Sequence, residues 1–224
     1  MFTRRSVLGT TTAVAATAVA GCSRAPFVDS DPLEFRASRA TVPASARENP
    51  GYEERVVSES TRQQTVQVGD QSRDIVVTNW RAEYDRAVDL SRVPVDGDGP
   101  RAAVFVAFST PQVSVLGRTF NPVGDIEAPD LAGTVQGRYE GLDGTEQVGE
   151  GEVVVAGQET TAGEFRAEAA LAETGTTVEI ALHVTEAVAV NDDFVVTVSS
   201  YPRQLQTVER EPAFAMMAAV DHEG

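Results

Sequence analysis

The chain has 224 residues and a formal net charge of −16, with 34 acidic residues against 18 basic ones, and every basic residue is an arginine. Such a surface repels phosphate backbones, which excludes nucleic-acid binding. The absence of lysine excludes a phosphate-binding loop lysine, a Schiff base and a Ser-Lys dyad.

Taken from the start, Thr3-Arg4-Arg5-Ser6-Val7-Leu8 opens a mild apolar run that ends at Val19-Ala20-Gly21-Cys22. A twin arginine before a weakly hydrophobic stretch is the pattern of a Tat export signal, and small residues before a cysteine form a lipobox. The stretch from Val7 to Ala20 contains Thr10, Thr11, Thr12 and Thr17, and it is too short and too polar for the roughly twenty apolar residues of a bilayer span. Arg4 and Arg5 are therefore assigned to export and Cys22, the only cysteine, to lipid attachment. The expected organisation is a signal over 1–21, a lipid-anchored tether over 22–32 and a single domain over 33–224. Removing Arg4 and Arg5 leaves sixteen bases against 34 acids, so the mature charge becomes −18. Dense carboxylates self-repel unless salt screens them, which points to a saline habitat.

Valine outnumbers leucine more than threefold, which favours strands because β-branched side chains suit a pleated surface. Leu33, Phe35 and Ala37 alternate with polar residues and predict a strand. A short helix over Val42 to Asn49, with Pro43 in its first turn, closes at Asn49-Pro50-Gly51. Glu54 to Val68 and Arg73 to Tyr84 flank Gly69-Asp70-Gln71 and predict a long hairpin. Ala102 to Phe108 is a continuous Ala/Val/Phe run expected to be a central strand buried on both faces.

Pro129 to Tyr139 is expected to be a helix, with Asp130 favouring the positive end of its dipole. Strands follow at Gly151 to Ala156, Gly163 to Leu171, Thr177 to Val190 and Phe194 to Tyr201, forming an antiparallel meander. Pro212 to His222 places Phe214, Met217 and Ala218 at helical spacing and predicts a C-terminal helix. The expected class is α+β, an antiparallel β-meander sheet covered by a few helices.

Val77-Thr78-Asn79-Trp80, Phe108 to Val113, Leu116 to Asp125 and Ser199-Ser200-Tyr201-Pro202 together resemble a family of haloarchaeal Tat-exported lipoproteins defined by a domain of unknown function. The resemblance implies export and lipidation and carries no catalytic residue. A weaker likeness, in topology alone, is to PsbP-like and DcrB-like domains.

Few residues carry chemistry. No Gly-x-Ser-x-Gly elbow occurs, and a Ser-His-Asp triad would need His183 or His222. His183 alternates with Leu182 and Val184 and is expected to be partly exposed on its strand, while His222 lies where chain ends fray. Asp96-Gly97-Asp98-Gly99 begins like a calcium loop, but the twelfth position is Ala107 where a bidentate Glu is required, so no metal is assigned. No cofactor is expected either. Ser109 to Asp125 combines Pro, Gly, Arg and Asn in a loop between regular elements, the setting in which binding groups concentrate. Within it Arg118 would grip an anion and Asn121 a carbonyl or hydroxyl, with Asp125 nearby; a well-ordered connection without a ligand is the competing reading. Trp80 is either a partner contact or a cap on the core.

The expected function is a non-catalytic binding or envelope-support role for a protein held at the outer face of the cytoplasmic membrane by the lipid on Cys22. An envelope protein is the expected partner. The alternatives are a solute-binding lipoprotein and, behind it, an outer-face hydrolase.

Overall fold

A computed structural model describes residues 31–68, 71–88, 102–115, 118–120, 139–171 and 175–224. The chain enters through β1 (Leu33–Arg36), the short β2 (Ala40–Thr41) and the single-turn α1 (Ala44–Arg47), which stops at Gly51. Gly51 takes φ +73° and donates its N–H to the Arg47 carbonyl at 2.8 Å, the left-handed cap that glycine adopts without a Cβ penalty. The hairpin then forms from β3 (Glu53–Val68) and β4 (Gln71–Arg86), and β5 (Ala103–Pro111) runs back beside β4. Two three-residue strands, β6 (Val113–Val115) and β7 (Arg118–Phe120), pair with each other in a separate small ribbon.

The second half is a meander of β8 (Tyr139–Val155), β9 (Gln158–Leu171), β10 (Thr177–Thr185), β11 (Val188–Val190) and β12 (Asp193–Pro202), followed by α2 (Gln206–Ala218) and β13 (Asp221–His222). Ala156 and Gly157, both at positive φ, close the β8–β9 turn, the two-residue geometry whose twist matches that of paired strands. The expected strand over 177–190 is broken at Glu186-Ala187, and β10 and β11 pair with the same β12. At the break the Thr185 hydroxyl stands in for a ladder acceptor, taking the Thr197 N–H at 2.9 Å.

The main sheet has nine strands, with the path β1-β4-β5-β12-β10-β9-β8, β3 on the other edge of β4 and β11 beside β12. β1 is parallel to β4 from Leu33 opposite Ile75 to Arg36 opposite Thr78, whereas β5 is antiparallel to β4 from Trp80 to Arg86. Since β3 occupies the other edge from Gln71 to Asp85, β1 and β5 lie end to end along one edge of β4.

The α+β expectation is therefore corrected: the protein is mostly β, a large mixed sheet with only two helices among the described residues. Two physical reasons account for the error. β8 is a 17-residue strand in which glycines and three register shifts hide the alternation, and the parallel β1–β4 pairing joins segments with no local signal. The predicted helix over Pro129 to Tyr139 lies outside the described residues except for Tyr139, which opens β8. Asp96 to Gly99 also lies outside them. The C-terminal helix exists but begins at Gln206, so Pro212 falls inside it rather than at its start.

The core is double. The larger cluster packs Tyr84, Phe105, Ile180, Leu182 and Tyr201 with Met216 and Met217 of α2. The smaller comprises Val66, Ile75, Val77 and Val113, with Leu33 and Phe35 of β1 against it. On the solvent side of the meander Asp143, Glu168 and Glu179 stand opposite one another on three adjacent strands. Like charges so placed repel, and Arg203, 2.9 Å from Glu179, offsets part of the repulsion.

Candidate functional site

The described residues with the most unusual environments gather in two places. The first is the junction where the edge of β4 passes from β1 to β5. The Ala37 N–H donates to the Thr78 carbonyl at 2.9 Å, and two residues further along β4 Trp80 faces Ser109. The chain between β1 and β2 is held by Asp193 at the start of β12, whose Oδ2 accepts the Ser38 N–H at 2.7 Å and contacts His222 Nε2 at 2.9 Å. Both the His222 and Asp193 side chains are almost fully buried, at 2% and 5% exposure. β13 completes the clamp by pairing with β2, and the Glu223 N–H donates to the Arg39 carbonyl at 2.9 Å. The expected frayed end at His222 is thus corrected: a strand pairing and a buried imidazole–carboxylate contact fix it.

Held in this way, Arg39 lays its guanidinium 4.3 Å from the centroid of the half-buried Trp80 ring. Ser109, opposite Trp80 and so on the same face, is fully buried and its hydroxyl has no hydrogen-bond partner among the described residues. On the other face Asn79 Oδ1 and the hydroxyl of Thr110 are also buried without a partner among the described residues. Gln112 fastens the end of β5 to the β11–β12 turn, its side-chain amide donating to the Asp193 carbonyl at 3.2 Å and the Asn191 carbonyl at 3.3 Å.

The second place lies beneath α2. His183, expected to be partly exposed, is fully buried. Its alternation with Leu182 and Val184 is real, but α2 covers the face on which it stands. His183 Nε2 lies 2.8 Å from the Tyr201 hydroxyl, and Phe214 of α2 meets the imidazole edge-on at 5.1 Å between centroids. Burial pushes the His183 pKa down to about 4, against the opposing pull of Glu164 and with a smaller downward push from Arg210. Burial likewise raises the Tyr201 and Tyr52 hydroxyls above their ordinary range. Gln206 reaches Glu164 at 2.7 Å, and Arg86 pairs with the buried Glu209 of α2 while donating to the Pro50 carbonyl at 2.7 Å. These contacts fasten α2 to the sheet. A neutral imidazole with so low a pKa is a weak base, and its Nε2 is occupied by a tyrosine.

Of the sequence-predicted contact residues, Trp80 lies at the junction and Arg118 opens β7, opposite Val115 in the small ribbon. Asn121, Asp125, Arg4, Arg5 and Cys22 lie outside the described residues. Arg39, Ser38, Asp193 and His222 were not singled out as a group, because the contacts among them join positions up to 155 residues apart and no local pattern marks them. Among the described residues no group of three His, Cys, Asp or Glu side chains is placed to hold a metal ion, and no helix is long and apolar enough to cross a membrane.

The chain belongs to the family described as a domain of unknown function (DUF6517), which matches residues 39–221. The match begins at Arg39 itself and leaves β1 outside. No curated protein matches the chain.

Proposed function

We propose that this is an exported lipoprotein of a salt-adapted archaeal envelope, anchored through Cys22 on the outer face of the cytoplasmic membrane, with a non-catalytic binding or envelope-support role. The observation that carries the non-catalytic part is the fate of the two histidines. His183 is buried against Tyr201 and His222 is tied to Asp193, so each imidazole acts as a structural tie rather than as an accessible base. The anchor rests on Arg4, Arg5 and Cys22, and the salt adaptation on the acidic, lysine-free composition.

Fractionation of cells tests the anchor. Cys22→Ser should leave protein in the medium or as unprocessed precursor, because a serine hydroxyl cannot form the thioether, and the double change Arg4→Lys with Arg5→Lys should block export. Wild-type membrane recovery and processing of Cys22→Ser would overturn it.

A further inference from the structure

We propose that Arg39 and Trp80 form a recognition point for an oxyanion of carboxylate or phosphate type, which gives the binding role above its ligand chemistry and rests on that role. A guanidinium over an indole, here with its central carbon 4.3 Å from the ring centroid, is held by cation–π attraction that uses none of its N–H donors, and the planar fork suits a bidentate oxyanion. Arg39 is exposed and Trp80 half-buried, so the stack lies at the surface.

Three further observations make the stack a preorganised group rather than a passing contact. Its backbone is fastened on both sides, by the Ser38 N–H to Asp193 and by the Glu223 N–H to the Arg39 carbonyl, which lowers the ordering cost of binding. The carboxylates of neighbouring strands are already engaged: Glu59, opposite Trp80, by Arg36 at 2.6 Å, and Asp193 by His222. Among the described residues no ion pair holds Arg39. Finally, the hydroxyl of Ser109, cross-strand from Trp80 on the same face, is buried without a hydrogen-bond partner among the described residues. In a chain of net charge −16, an arginine without an ion pair among the described residues is a local exception to the field that repels anions elsewhere.

Trp80 is the only tryptophan, so its emission reads this point directly. The purified full chain is titrated with sodium phosphate exchanged for sodium chloride at constant ionic strength, then with sodium acetate, and separately with vesicles of neutral lipid or of neutral lipid mixed with phosphatidylglycerol. The expected result is a saturable change in emission. A response to dissolved phosphate or acetate identifies a free oxyanion, and one confined to phosphatidylglycerol vesicles identifies a headgroup. Arg39→Gln should weaken the response at least about tenfold, the scale of a lost charge-assisted contact. Arg39→Lys, which keeps the charge without the planar fork, should fall between. An unchanged far-ultraviolet dichroism spectrum certifies that each variant is folded. No saturable change with any probe, or an equal response in Arg39→Gln, overturns the proposal. That failure is separate from failure of the anchor, which is read by the fractionation of Cys22→Ser.

Discussion

β4 runs through two environments, and its two ends are instructive side by side. From Trp80 to Arg86 it pairs with β5 and contributes Ala82 and Tyr84 to the core beneath α2. From Ile75 to Thr78 it pairs with β1, and Ile75 and Val77 belong to the small cluster with Val66, Val113, Leu33 and Phe35. One continuous strand thus serves a deep core closed by a helix and a shallow one closed by the entering chain. Regular backbone pairing is common to both, so the difference in stability should come from side-chain burial rather than from hydrogen bonding.

The largest test of that contrast compares two truncations. Phe105→Ala, in the deep core, should lower the unfolding free energy by about 3–5 kcal/mol, and Ile75→Ala, whose half-exposed neighbours are able to close over the gap, by about 2 kcal/mol. Denaturant titration measures both. Equal losses would show that the two clusters act as one core.

The second test uses the imidazole that only the deep core contains. The His183 pKa is about 4 in the folded chain against the ordinary 6.5, so the unfolded chain binds a proton that the folded chain refuses. The stability that follows is fully present above pH 6.5, is lost as pH falls towards 4, and amounts to about 3 kcal/mol across that window. His183→Gln, which is neutral throughout, should flatten the slope between pH 7 and 5.5, where carboxylates titrate little. An unchanged slope in the variant would mean that the imidazole already meets water.

The smallest expected effect concerns the rung of Asp143, Glu168 and Glu179, outside both cores. Glu168→Gln should raise stability by about 0.5 kcal/mol in 0.1 M salt and by almost nothing in 3 M, where screening is complete within a few ångströms. Thermal melts at the two salt concentrations check it. A gain independent of salt would mean that the repulsion is not what the substitution relieves.

How much of this was legible beforehand follows from range in sequence. The β3–β4 hairpin and the buried β5 could be read because turn residues and β-branched runs are local signals, and β5 is buried along nearly its whole length as its composition requires. The side-by-side pairing of β1 with β4 could not, because nothing in Leu33 to Arg36 specifies a parallel neighbour. The burial of His183 is not legible, because alternation reveals that a strand has two faces but not that α2 covers one. Trp80 was picked out by residue type alone. Its partner Arg39 was not, since it stands in a connection whose position depends on Asp193 and the last strand.

The long outer strands raise a different matter, that of remaining separate from other copies. An unpaired strand invites a second chain to add to it, and charge is the usual deterrent. In molar salt, the setting proposed for this protein, charge is muted and geometry must supply the deterrent instead. β8 carries such geometry: its register shifts at three places between Glu140 and Gly149, and Gly141 and Gly144 adopt positive φ. Over that stretch the buckled strand offers no straight run of donors and acceptors to an incoming neighbour, whereas Gly149 to Val155 keeps an unbroken register. The irregularity that hides β8 in the sequence is also what makes its first half a poor template for a second chain, by backbone geometry that salt does not screen.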